Sequence, residues 1–62
     1  MNETYKAAII KALKKESGLF ATQLATRAIS GTALDWQEAL STVWEMSRNG
    51  EIVQDKYNRF SL

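Results

Sequence analysis

The chain has 62 residues and a formal net charge of +1, and it contains neither histidine nor cysteine. A chain of this length forms one small domain, which buries about 60% of its unfolded surface and has no room for a cofactor or a small-molecule substrate. We therefore expect a single domain over residues 1–62. Histidine and cysteine supply the commonest general base, metal ligand and thiolate nucleophile, and because both are missing we expect that the chain is not an enzyme and holds no cofactor or metal.

The first predicted element is a helix from about Glu3 to Ser17. Apolar residues recur three and four positions apart and form one stripe for burial, made of Tyr5, Ala8, Ile9, Ala12 and Leu13. The basic side chains of this helix are interpreted as a solvated face that complements the negative end of the helix dipole; they are Lys6, Lys11, Lys14 and Lys15. Ile10 lies off the stripe, which indicates an additional apolar contact.

Glycines mark the ends of the helical segments, because each follows a periodic stretch at a place where a left-handed cap is favoured: Gly18, Gly31 and Gly50. After the first of them, Leu19 and Phe20 can form a short extended piece. Thr22 is then a suitable N-cap for a second, short helix, whose apolar residues are Leu24, Ala25, Ala28 and Ile29. Residues 30–32 form the turn that follows.

The third helix has two candidate starts, since Thr32 and Asp35 are each followed three residues later by an acidic residue, and it ends at Asn49-Gly50. At about 100° per residue, its apolar arc is about 160° wide and contains Trp36, Ala39, Leu40, Val43, Trp44, Met46 and Ser47. The residues outside the arc include two glutamates and one arginine; they are Gln37, Glu38, Ser41, Thr42, Glu45, Arg48 and Asn49.

This apolar arc is wider than one small core covers easily, and its two edges are Trp36, Leu40, Trp44 and Ala39, Val43, Met46. In one interpretation, the two indoles cover the underside of a C-terminal hairpin and pack on Phe60. In the other, the tryptophan edge, together with Ile10, is a surface for a second copy of the chain or for a protein partner.

The C-terminal segment alternates as strands do. Ile52 and Val53 lie on opposite faces, and Phe60 and Leu62 then share one face. Residues 55–59 join the two strands with a cluster of cationic, amide and aromatic groups, which also suits a four-residue turn. The sequence therefore predicts an α+β fold that is mostly α, with a three-helix core and a C-terminal two-stranded β-hairpin.

The order of these elements, and the stretch Arg48-Asn49-Gly50-Glu51-Ile52-Val53, resemble the winged helix-turn-helix superfamily from about Thr4 to Leu62. In size and order the chain is similar to small bacterial or phage DNA-binding regulators, such as those of bacterial fimbrial operons. The resemblance implies that the third helix lies in the major groove of double-stranded DNA and that the hairpin is the wing. It also implies that Gln37 and Ser41 face base edges, and that phosphates are contacted by Thr32, Lys56, Asn58 and Arg59.

Two functions are compatible with this pattern. The first is a DNA-binding transcription regulator or accessory factor that works as a homodimer. The second is a protein interaction module that keeps the winged-helix frame without binding DNA, and uses the tryptophan edge or the acidic face of the third helix. Charge is unevenly distributed, because residues 1–31 hold five basic and two acidic side chains, whereas residues 32–62 hold three basic and five acidic ones. Binding to DNA is therefore expected to be weak, dimer-assisted or locally focused.

No membrane association is expected. The longest uninterrupted apolar run, Ala7-Ala8-Ile9-Ile10, is far shorter than the roughly 20 residues that a membrane-spanning helix requires. The first residues also lack the hydrophobic region of a signal peptide, so the sequence predicts a cytoplasmic protein.

Overall fold

The computed structural model describes residues 3–62, which form three helices and a small antiparallel sheet. In chain order the elements are α1 (Glu3–Lys15), β1 (Leu19–Phe20), α2 (Ala21–Ile29), α3 (Trp36–Arg48), β2 (Val53–Gln54) and β3 (Arg59–Ser61). The predicted fold class, α+β and mostly α, is confirmed, and the arrangement is compatible with a winged-helix layout.

The sheet has one more strand than the predicted hairpin. The extended piece after Gly18 is β1, which pairs with β3, so that β3 lies between β1 and β2. Phe60 on β3 is opposite Leu19 on β1, and both side chains are buried. The Gly18 amide donates to the Phe60 carbonyl at 2.8 Å and continues this pairing.

The predicted alternation holds up to the end of β3. Ile52 is buried and Val53 is 57% exposed, as expected for opposite faces of the hairpin. Leu62 was expected to share the buried face of Phe60, but it is 53% exposed. The reason is that it lies past the last residue pair of the sheet, Val53 with Ser61, where no neighbouring strand covers it.

Side chains from all three helices meet the sheet in one core. Five of the apolar residues that the sequence assigned to helix stripes or to the hairpin are fully buried, and they are Ile9, Leu13, Leu24, Val43 and Phe60, whereas Ala8 of the first stripe is half-buried. Ile10 is half-buried and packs against this core, which accounts for its additional apolar contact within the domain. Tyr5 is also half-buried, and its hydroxyl oxygen accepts a hydrogen bond from the Asp35 amide at 2.9 Å.

The helix ends correct two details of the sequence prediction. Helix α3 begins after Asp35, whose carboxylate accepts from the Glu38 amide at 2.9 Å, so the second of the two candidate starts is the one used. Thr22 is not the N-cap of α2, because α2 follows β1 without a loop and begins at Ala21. The polar group at this end is instead the side-chain oxygen of Gln23, which accepts from the Phe20 amide at 3.1 Å.

One lysine of α1 has a structural contact that was not predicted. The Lys6 ammonium lies 3.1 Å from the Glu51 carboxylate, in the turn after α3, and its side chain is mostly covered. Hydrogen bonding to Glu51 raises the pKa of Lys6 above its ordinary value. A raised folded-state pKa means that this pair stabilises the fold at neutral pH, and that its contribution is lost only as the pH rises through that pKa.

Replacement of Leu13 by alanine tests the core. The change should lower the free energy of unfolding by about 2–5 kcal/mol, because it removes a fully packed side chain and leaves a cavity. A chain of this length has a total stability of about 3–9 kcal/mol, so the variant should be partly or wholly unfolded in urea or thermal denaturation. Lys14→Ala is the control on the exposed side of α1 and should change stability by less than about 0.5 kcal/mol.

Candidate nucleic-acid interface

The orientation of α3 differs from the sequence prediction. Thr42 was expected to face solvent, but it is 1% exposed and lies among the buried residues Ala39, Val43 and Met46. Its hydroxyl donates to the Glu38 carbonyl at 2.7 Å, so burial leaves no unsatisfied polar group at this position. At about 100° per residue, the buried face is centred roughly 70° away from the centre of the predicted arc.

This rotation decides which residues of α3 face away from the core. On the helical wheel the side opposite the buried face holds Gln37, Ser41, Trp44 and Arg48, which we call the outer stripe. All four residues are exposed. The outer stripe contains one cation and no carboxylate, so the acidic character predicted for the exposed face does not apply to its centre.

The two glutamates of α3 lie to one side of the outer stripe. Glu45 is half-buried and is close enough to Lys6 to contribute to the raised pKa of that lysine. Glu38 is about two turns earlier, on the same side of the helix, where its amide is capped by Asp35. Glu38 is exposed, so one negative charge lies beside the outer stripe, whereas the stripe itself carries only the positive charge of Arg48.

The two tryptophans have different environments. Trp44 packs edge-on against Phe60, with ring centroids 5.5 Å apart and an angle of 77° between the planes, as one interpretation of the sequence predicted. Trp36 does not follow that prediction, because its indole nitrogen donates to the Thr26 hydroxyl on α2 at 3.1 Å. Trp44 is 46% exposed and Trp36 is 37% exposed, and Leu40 between them is half-buried.

The tip of the hairpin, residues 55–58, is held by a small hydrogen-bond network. One carboxylate oxygen of Asp55 accepts from the amides of both Tyr57 and Arg59 at 2.9 Å. The Gln54 side-chain amide donates to the Asn58 side-chain oxygen at 3.1 Å, and Asn58 has a positive φ of 65°. Asn58 therefore has a structural role in the turn, since asparagine tolerates this conformation better than most residues.

Both cations of the hairpin lie over aromatic rings. The Lys56 ammonium is 5.2 Å from the centre of the Tyr57 ring, and the Arg59 guanidinium is 5.5 Å from the centre of the Phe20 ring on the adjacent strand β1. No carboxylate of the described residues forms an ion pair with either cation. Lys56 and Arg59 are exposed, so both remain available to an anion in solution.

Of the six residues predicted to contact DNA, Thr32 is separated from the others. It precedes α3 by several residues, and its hydroxyl donates to the Ile29 carbonyl at 2.6 Å and accepts from the Leu34 amide at 3.1 Å. Its hydroxyl hydrogen is thus already used within the turn. The structure places Gln37 and Ser41 together on the outer stripe, and Lys56, Asn58 and Arg59 together on the hairpin.

Sequence reasoning missed Arg48 and Trp44 as members of this candidate interface. Both follow Gln37 and Ser41 at helical spacing, and Arg48 is seven residues after Ser41, or about two turns. Arg48 was already placed outside the apolar arc but was not assigned to the DNA contact, whereas Trp44 was assigned to the apolar arc and Thr42 to the exposed face. Only the buried position of Thr42 fixes the rotation.

Comparison of the chain with models of known protein families, with curated proteins and with solved structures gave no match. Within residues 3–62, no helix is long and apolar enough to cross a membrane. The same residues contain no group of three or more acidic side chains placed to hold a metal ion. The candidate interface is thus defined by its own geometry, which is an exposed helix face beside a cationic hairpin.

Replacement of Asp55 by alanine tests the order of the hairpin tip. The change removes the acceptor for the Tyr57 and Arg59 amides. One hydrogen bond contributes about 0.5–1.5 kcal/mol to stability, so hydrogen exchange at both amides should become roughly 2- to 10-fold faster. Asp55→Asn keeps an oxygen at the same position and should preserve most of the protection. Equal acceleration in both variants, measured by NMR, would contradict the role of this oxygen.

Proposed function

We propose that this chain is a DNA-binding winged-helix protein, acting as a transcription regulator or an accessory factor. The observation that supports this most is the outer stripe of α3, which points away from the core and carries hydrogen-bonding groups without a carboxylate. Gln37 and Ser41 are side chains of the kind that read base edges, since glutamine pairs with adenine in a bidentate manner and serine is a less selective partner.

The hairpin supplies the second part of the proposal. Lys56 and Arg59 are cations without an ion-pair partner among the described residues, and Asp55, the acid beside them, is directed into the turn. Phosphate contacts position a protein on a duplex, and base contacts give specificity. With Arg48 at the far end of the outer stripe, one copy offers three cations to the backbone, which is a small number for tight binding.

Binding to double-stranded DNA should therefore be measurable at low salt and should weaken steeply as salt is added. The slope of log affinity against log salt should decrease by about 0.9 in Arg59→Gln, with a similar loss for all sequences, because one phosphate contact is removed. Gln37→Ala should instead change the preference among sequences. Both are measured by fluorescence anisotropy with labelled duplexes.

Controls for this experiment come from the same chain. Glu38→Gln removes a negative charge beside the outer stripe and should strengthen binding to every sequence, whereas Asn49→Ala, at the exposed end of α3, should have little effect. No binding by the intact protein at low salt would exclude the DNA-binding proposal. Binding that is unchanged by Arg59→Gln together with Lys56→Gln would exclude the hairpin as the phosphate contact.

The exposed tryptophans support a second candidate, a protein interaction module or a homodimer. Tryptophan is enriched at the energetic centres of interfaces, and a large aromatic residue buries about 150–250 Å² in a folded protein. At the observed exposures, Trp36 and Trp44 therefore offer roughly 100 Å² each, compared with about 800 Å² per partner in a stable interface. This edge can be the centre of an interface, but a dimer formed by it alone would be weak.

Sedimentation equilibrium tests the homodimer. We expect weak association that increases through the micromolar range and is reduced by Trp44→Ala, with Lys14→Ala as the control that leaves it unchanged. A monomer at every concentration would remove the homodimer and leave a different protein as the only candidate partner of this edge. A dimer that Trp44→Ala does not weaken would place the interface on another face of the domain. We further propose a cytoplasmic location, since a regulator of the bacterial or phage type that the sequence resembles acts on DNA in the cytoplasm.

A further inference from the structure

A shallow groove lies between α1 and the end of α2, and we call it the α1–α2 groove. Its volume is about 340 Å³, and it runs along one side of α1 from Thr4 to Lys15. Three cationic side chains line it, namely Lys11, Lys15 and Arg27. None of the outer-stripe residues and none of the hairpin residues lines it, but Thr32, which was predicted to contact phosphate, does. The α1–α2 groove is therefore separate from the outer stripe and the hairpin.

Only one of the three positive charges of this groove is neutralised by a nearby carboxylate within the described part of the chain. Arg27 forms an ion pair with Glu16, but neither Lys11 nor Lys15 has an ion-pair partner among residues 3–62. These two lysines stand four positions apart on the helix, where like charges repel and lower helix stability. Lys15 lies in the last turn of α1, where the helix dipole stabilises a positive charge. Lys11 lies before that turn and does not gain this stabilisation.

The remaining lining indicates what kind of ligand would fit. Apart from Leu34, the other lining residues are alanines or carry a hydroxyl group: Thr4, Ala8, Ala12, Ala28, Ser30 and Thr32. The large exposed apolar side chains of the described chain, such as Phe20, Val53 and Tyr57, all lie elsewhere. Cations and hydroxyls are the groups that bind a phosphate backbone, whereas the large exposed apolar residues that anchor protein interfaces lie outside this groove.

We infer that the α1–α2 groove binds the phosphate backbone of a second nucleic-acid segment. Four residues of helix span about 6 Å, so Lys11 and Lys15 can contact phosphates one or two nucleotides apart on one strand, which rise about 3.4 Å per nucleotide along the axis. Arg27 contacts the same backbone from the opposite wall, at the cost of loosening its pair with Glu16. One copy of the chain thereby joins two segments, one at α3 and the hairpin and one at the groove.

Salt dependence of binding and NMR chemical shifts test this assignment on the intact chain. Addition of a short mixed-sequence duplex should shift the amides of Lys11, Lys15 and Ser30, in addition to those of the outer stripe. Lys11→Gln and Lys15→Gln should each lower the salt slope by about 0.9 and abolish the groove shifts. Lys14→Gln is the matched control, since it removes the same charge from the same helix outside the groove.

A bridging measurement gives an independent readout. Protein bound to an immobilised duplex should capture a second, labelled duplex, and Lys11→Gln should lose this capture while it keeps the shifts at Gln37 and Ser41. Circular dichroism melting shows whether each variant is folded. Loss of capture in Lys14→Gln to the same extent would overturn the proposal, because the effect would then be one of total charge rather than of the groove.

The same titrations separate this proposal from the DNA-binding function. Groove shifts that persist in Lys56→Gln/Arg59→Gln, without shifts on the outer stripe, would support the groove and exclude α3 as the DNA surface. Shifts confined to the outer stripe and hairpin would support the DNA-binding function of α3 and exclude the α1–α2 groove as a nucleic-acid site. Equal groove shifts with polyglutamate, or shifts with inorganic phosphate but none with the duplex, would overturn the nucleic-acid assignment.

Discussion

The burial of Phe60 on the middle strand is the contact on which the rest of this small fold depends. Its backbone is paired with β1 on one side and β2 on the other, and its ring lies in the core with Trp44 packed edge-on against it. Because β1 and β2 have only two residues each, the sheet has little stability of its own. The ring of Phe60 therefore attaches the hairpin to the helices and sets the position of its cations relative to α3.

The second constraint is the rotation of α3, which follows from the burial of a polar residue. A threonine can occupy a core position when its hydroxyl bonds to the carbonyl one turn earlier, and Thr42 does so. With Thr42 inward, the tryptophan edge moves toward solvent and the two glutamates lie to one side of the outer stripe. The centre of the exposed face of α3 is therefore less acidic than the sequence predicted.

Much of the fold could be predicted because its signals are local. All three glycines that follow helical patterns have a positive φ near 75°, and the periodicity of α1 identified its core residues Ile9, Ala12 and Leu13. Pairing of β1 with β3 could not be predicted in the same way, since it joins segments far apart in the chain, and two residues carry almost no pattern. The site was only partly predictable: Gln37, Ser41 and Arg48 are exposed in both the predicted and the observed rotation, whereas Trp44 joins them only in the observed one.

The pairing of β1 with β3 also has a consequence for how the domain opens. A hairpin joined to its protein only by its own two strands can detach while the rest stays folded. Here the strand that carries Phe60 is also held by β1, in the first third of the chain, so release of the hairpin exposes part of the core that the helices share. We therefore expect local opening of the hairpin to be coupled to opening of the helical core.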